Sequence, residues 1–170
     1  MLVDSHAHLS SPQFAEDREA VIRNAGEAGV GLIIDVGTDL DVSREALDLA
    51  RRNEGVYATA GFHPHDVEKA DEGTLRALGP LLTAPETVAV GETGLDFYRD
   101  WAPRDRQEKV FRLHIRQARE VGLPLVIHSR GAEDRVLDLL EEEGADEVRG
   151  VLHCFGGDEA QARRGIDLNF

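Results

Sequence analysis

The 170-residue chain carries 33 acidic and 19 basic residues, a formal net charge of −14, with 41% hydrophobic residues and one cysteine. Such a length supports one sizeable core, and the charge excludes general attraction to polyanions or anionic membranes, so any contact with nucleic acid has to be local. No apolar run approaches the roughly 18 residues of a membrane span, and the start lacks a secretory pattern, so a cytoplasmic protein without membrane association is expected.

In chain order, the first β-like run is MLV at 1–3, leading into VDSHAHLSS, where His6 and His8 are separated by one alanine. On a strand, positions i and i+2 share a face, so both imidazoles reach one point. Asp4 has the same parity and either orients a ligand imidazole or caps hydrogen bonds. A helix is predicted over 13–28, a strand in VGLIIDV at 30–36, a helix over 41–53 and a strand in VYATAGF at 56–62, followed by His63 and His65. After a helix over 71–84 comes TVAV at 87–90, followed by Glu92 in GETGLDFY. The helix over 103–121 has Pro103 suited to its first turn and Gly122 to its end. His114, inside it, reads as an ordinary packed histidine. LPLVI at 123–127 precedes His128, a helix spans 132–143, and VRGVL at 148–152 precedes His153. Asp158 reads as the N-cap of a helix over 158–164, and the closing GIDLNF as the opening of a seventh strand, with Asp167 at the helix exit. Cys154, alone, forms no internal disulfide and is expected to be a small buried apolar residue.

Strict β-α alternation requires parallel pairing with crossover connections. Of the two architectures that satisfy it, an open doubly wound sheet announces itself by a glycine-rich phosphate loop after its first strand. Here His-x-His stands in that place, so a TIM-type (β/α) barrel in a single domain is the expected fold. All strand C-termini of a barrel meet at one face. Six of the seven histidines and Glu92 follow strands, so residues far apart in sequence converge there. Imidazoles and a carboxylate gathered in one mouth need compensation for burial, which a divalent metal supplies. Two imidazoles from one strand, one each from two later strands and a carboxylate able to bridge suit a binuclear centre that polarises a phosphoryl or carbonyl oxygen.

VDSHAHL, GFHPHD, GETGLDFY, HSR at 128–130 and HCFGG at 153–157 resemble, in order, the motifs of the TatD family of metal-dependent deoxyribonucleases, a branch of the amidohydrolase-like barrels. The resemblance implies a TIM-type barrel that hydrolyses DNA, often as a 3′ to 5′ exonuclease. It implies two divalent cations, Mg²⁺ or Mn²⁺ as the usual activators and Zn²⁺ as a further candidate. Carried over by motif, His6 and His8 bind one metal, His128 and His153 a second, and Glu92 lies between them as a catalytic and bridging group. His63, also catalytic, and His65 approach the scissile phosphate or an additional metal. Arg130 and Arg99 neutralise phosphate charge, and Tyr98, Phe97 and Phe155 are candidates to stack on a base or to pack the rim.

The chain departs from the family pattern at its end, where one to two β/α units and the eighth-strand metal-site aspartate have no counterpart. Thr93 and Gly156 are smaller departures. An open sheet edge then makes the molecule prone to self-association, including formation of homo-oligomers. Two further readings of the same residues are hydrolysis of an ester or amide, such as an aminoacyl ester on RNA, and an inactive metal-binding remnant.

Overall fold

A computed structural model describes residues 1–99 and 101–170. Its six strands are β1 (Leu2–Ala7), β2 (Val30–Asp35), β3 (Val56–Ala60), β4 (Thr87–Asp96), β5 (Leu125–Arg130) and β6 (Gly150–His153). They lie in sequential order, each pair parallel. The connecting helices are α1 (Arg18–Glu27), α2 (Leu40–Arg52), α3 (Glu72–Leu82), α4 (Arg104–Val121), α5 (Glu133–Glu142) and α6 (Glu159–Asp167). Although β1 and β6 stand at opposite ends of the sheet order, the rings of His6 and His153 stack with centroids 3.5 Å apart. The sheet is therefore rolled, and the expected TIM-type barrel is the fold.

Local chemistry sets the element ends. Asp39 starts α2 by accepting the Val42 N–H at 2.8 Å, and Asp71 does the same for Thr74 at the start of α3. Gly122 closes α4 in the left-handed region at φ 71°, where a side chain would strain the turn. The buried side of α4, with Val110, Phe111, Ile115 and Ala118, packs with Leu95, Leu125, Ile127 and Leu139 in the larger core. A smaller core joins β2 and β3 to α2 through Ile33, Leu47, Leu49 and Val56. Both cores lock the strands in place beneath their C-terminal ends.

Several expectations need correction. GIDLNF does not open a seventh strand. Gly165–Asp167 form the end of α6, where the bare Gly165 lies close under Leu152, while Leu168 and Phe170 pack back on the core. Asp158 caps that helix as expected, in a reciprocal capping box with Gln161. TVAV is only the first part of a ten-residue strand, so Glu92 lies within β4 rather than beyond it. The run looked short because Gly91, Glu92 and Thr93 interrupt its apolar character, yet each is buried between neighbouring strands. The segment expected as one helix over 13–28 splits into a 3-10 turn at Pro12–Phe14 and α1. Cys154 is exposed rather than buried, because it begins the turn that leaves β6 at φ 49°.

Candidate metal centre

The site is assembled by hydrogen bonds that tie strand ends together. Thr59 Oγ1 donates to the Gly91 carbonyl at 2.6 Å and accepts the Gly37 N–H at 3.2 Å. The Glu92 N–H in turn donates to the Gly37 carbonyl at 2.7 Å. One buried hydroxyl thus couples the ends of β2 and β3 to the middle of β4, immediately beside Glu92. Val36 N–H donates to the Ala7 carbonyl at 2.8 Å, fixing the exit of β1 against that of β2. His114, completely buried, accepts the Phe62 N–H on Nε2 at 3.0 Å and directs Nδ1 to the Val110 carbonyl at 3.0 Å. It is packed, as the sequence suggests, and it also anchors the residue next to His63. Burial lowers its pKa to about 4, so it is neutral at pH 7.

Glu92 is the centre of the arrangement and is only 2% exposed. Its Oε2 faces His6 Nε2 at 3.3 Å and His8 Nε2 at 3.8 Å. Its Oε1 faces His128 Nδ1 at 3.2 Å and His63 Nε2 at 3.9 Å. Each oxygen of one carboxylate therefore looks at a different pair of imidazoles. Burial alone raises the carboxyl pKa, but hydrogen bonds from His128 and His6 outweigh it and hold Glu92 ionised well below the usual carboxylate range. His8 directs Nδ1 to the Val36 carbonyl at 3.3 Å, which leaves Nε2 toward the centre. Asp4 does not touch an imidazole; its Oδ1 accepts the His6 backbone N–H at 3.1 Å.

His63 is presented differently. Its Nδ1 accepts the His65 N–H at 3.1 Å, and burial lowers its pKa to about 3, so the neutral ring carries its proton on Nε2 and offers a donor to the centre. His65 turns away from Glu92 and places Nε2 2.7 Å from Asp96 Oδ2. Asp96 is a site residue that the sequence reading missed. It is fully buried at the end of β4 and also lies 3.3 Å from His128 Nε2 through Oδ2. With Asp96 behind Nε2, His128 keeps Nδ1 toward Glu92; despite burial, these two carboxylates raise the His128 pKa. The available signal was the position of Asp96 inside GETGLDFY, two residues along the chain from Gly94. His153 rests on His6, and burial followed by the neighbouring His6 lowers its pKa. It belongs to none of the three groups of converging ligand atoms, which are His6/His8/Glu92, His63/Glu92/His128 and His65/Asp96/His128.

These residues fit a divalent cation. The Nε2 atoms of His6 and His8 stand 3.2 Å apart before one carboxylate oxygen, a spacing that serves an N–H···N hydrogen bond in the absence of an ion and two ligands of one cation in its presence. His6 Nδ1 is buried without a hydrogen-bond partner among the described residues. Imidazole and carboxylate donors in such a cluster suit Zn²⁺ or Mn²⁺, and the carboxylates also suit Mg²⁺.

A model of TatD-related DNases matches residues 3–170. The chain belongs to the TatD-related DNase family. An uncharacterized metal-dependent hydrolase of Bacillus subtilis, YabD, is 40% identical over 170 residues, covering 100% of this chain and 67% of that protein. The TatD 3′-5′ ssDNA/RNA exonuclease of Shigella flexneri is 41% identical, covering 97% of this chain and 65% of the relative. The crystal structure of YJJV, a TatD homolog from Escherichia coli K12, superposes with a TM-score of 0.91 at 34% identity, over 98% of this chain and 65% of the other. The chain thus spans about two thirds of the length of these TatD relatives.

The centre opens into a cleft of about 590 Å³ lined by His128, Ser129, Arg130, Glu133, His153, Cys154 and Gly156. Arg130 stands at its wall with its guanidinium 4.3 Å from the Tyr98 ring centroid, and Arg99 lies 5.2 Å from that of Trp101. Both guanidinium groups are at the rim and form no hydrogen bond or ion pair with Glu92, Asp96 or the histidines of the site among the described residues. Phe97 packs on the larger core, and Phe155 packs toward Gly157 beside an outer cleft with Val151 and Ile166. Among the described residues no helix is long and apolar enough to cross a membrane.

Proposed function

We propose that this TatD-family chain is a cytoplasmic, divalent-metal-dependent hydrolase of DNA phosphodiester bonds that works from 3′ ends, with all 170 residues in one domain. The observation that carries the reading is the division of Glu92, one oxygen toward His6 and His8 and the other toward His128 and His63. A buried carboxylate so placed would help to hold divalent cations, together with His6 and His8 at one oxygen and with His128, and His153 beyond it, at the other. The relatives named exonuclease or metal-dependent hydrolase support the same chemistry.

When bound, two divalent ions, Mg²⁺ or Mn²⁺, neutralise phosphate charge and activate water for in-line attack. The protein supplies position and proton control. Glu92 stays ionised and acts as an acceptor. His63 offers its Nε2–H to a phosphate oxygen, and its lowered pKa makes it a neutral donor at pH 7. Asp96 keeps the His128 ring turned so that Nδ1 faces the centre. Arg130 and Arg99 attract the backbone at the rim, where the rest of the surface repels it.

The test is release of mononucleotides from the 3′ end of single-stranded DNA with Mg²⁺ or Mn²⁺. The expected result is activity abolished by EDTA and by Glu92→Ala. Activity surviving that substitution assigns the hydrolysis to another site, and turnover of esters or amides but not DNA replaces the nuclease reading.

A further inference from the structure

Two large aromatic rings stand in water at the mouth of the site. Trp101 is 63% exposed and Tyr98 68% exposed, although both leave the end of β4 beside a core that has room in sequence for apolar residues such as Phe97 and Ala102. Leaving a tryptophan in water forgoes a large burial term, so two exposed aromatics on one short connection call for a reason.

Hydrogen bonds hold the described residues of the connection at both of its ends. Asp96 Oδ1 accepts the N–H groups of Tyr98 at 2.9 Å and Arg99 at 2.8 Å. Gln107 Nε2 donates to the Asp96 and Ala102 carbonyls at 3.2 and 2.9 Å, and the Phe97 N–H donates to the Arg130 carbonyl at 3.0 Å. The backbone is pinned on both sides while the rings project. Trp101 leans on His65 with centroids 4.4 Å apart, on the β3 side of the mouth. Tyr98 lies on the β5 side, by Arg130 and Gly131. Each ring has its own guanidinium, Arg99 for Trp101 and Arg130 for Tyr98.

We propose that Trp101 and Tyr98 form a stacking platform for unpaired bases of a single-stranded nucleic acid whose end enters the Glu92 cluster. The proposal rests on the nuclease reading and deepens it by naming the side chains, Trp101 and Tyr98, that would hold the strand outside the cluster. Alternating aromatic faces and arginines match alternating bases and phosphates, and stacking tolerates any base because each has a π-face. In a duplex those faces are already covered by neighbouring bases, so the platform selects unpaired strands. Asp96 connects the two regions, because one of its oxygens orients His65 and His128 while the other holds the backbone that carries the platform.

Trp101 is the sole tryptophan of the chain, so its emission reports the platform directly. A phosphorothioate oligothymidylate, whose linkages resist cleavage, is titrated in Mg²⁺ buffer against the fluorescence of the protein. Saturable quenching is expected, with little from a blunt duplex of matched length. By anisotropy of a labelled oligonucleotide, Trp101→Ala weakens binding about tenfold or more, and Trp101→Phe restores most of it. Hydrolysis of ordinary oligothymidylate with unmoved emission and unchanged Trp101→Ala affinity overturns the platform and leaves the nuclease reading intact. Quenching without hydrolysis supports the platform and removes the nuclease reading; equal quenching by duplex overturns the selection for unpaired strands.

Discussion

At the residue scale, Asp96 and His114 govern the site without needing to touch a substrate. A carboxylate behind a ligand imidazole fixes its tautomer and orientation, and losing such a partner commonly costs about 10- to 100-fold in metal affinity. Asp96→Asn should weaken Mn²⁺ binding by about that factor in calorimetry, with a far-ultraviolet dichroism spectrum that stays native. Unchanged affinity would show that His128 is oriented by other contacts. His114 gives a pH signature. Its folded pKa of about 4 lies below the ordinary 6.5, so the fold disfavours the protonated ring. The associated stability is fully present above about pH 6.5 and is lost as pH falls toward 4, by roughly 3 kcal/mol in all. Urea midpoints of the native chain and of His114→Gln, compared at neutral and acid pH, should show the glutamine variant losing less on acidification. Parallel losses in both proteins would contradict this origin.

At the element scale, β4 shows how far the sequence was legible and where it was not. Apolar runs and helix periodicity marked all six strands and six helices, because each buries a face with a regular period. The same reading ended β4 at Val90, since a buried glutamate between glycines has the composition of a turn. Asp96 stayed unseen for a related reason: its partners are His65, in the turn after β3, and His128, on β5, and sequence spacing does not reveal pairing across a barrel. Convergence of the histidines, by contrast, followed from barrel topology alone. Gly94 makes the element testable. At φ 122° it occupies a region that favours glycine, and a Cβ there would strike the His128 carbonyl oxygen. Gly94→Ala should destabilise the protein by about 1–3 kcal/mol and displace β5 with its histidine. A thermal midpoint and Mn²⁺ affinity both equal to those of the native chain would rule out this close approach as a constraint.

At the scale of the whole molecule, charge and edges dominate. Arg112 and Arg116 pair with Glu143 at the end of α5, Arg135 with Glu108 on α4 and Glu142 on its own helix, and Arg164 with Asp138 and Glu141 on α5. These exposed pairs add little stability, but they remove positive charge from the helical face. Arg99 and Arg130 form no ion pair among the described residues, so the mouth keeps positive charge on a molecule of net charge −14. Affinity for single-stranded DNA should therefore fall steeply as salt rises, with a log–log slope of about −1 to −2, set by so few phosphate contacts. A flat dependence would place recognition elsewhere. Leu2 and Val3 on β1 and Val151 on β6, the first and last strands of the sheet order, are exposed.

All of this depends on Glu92 lying between two cations. Crystals of the chain grown with Mn²⁺ and measured at the manganese absorption edge give the most direct answer. The proposed two-cation centre gives two anomalous peaks beside Glu92, one against His6 and His8 and the other against His128 and His153. A single peak away from Glu92, or none within the histidine cluster at saturating Mn²⁺, would contradict it.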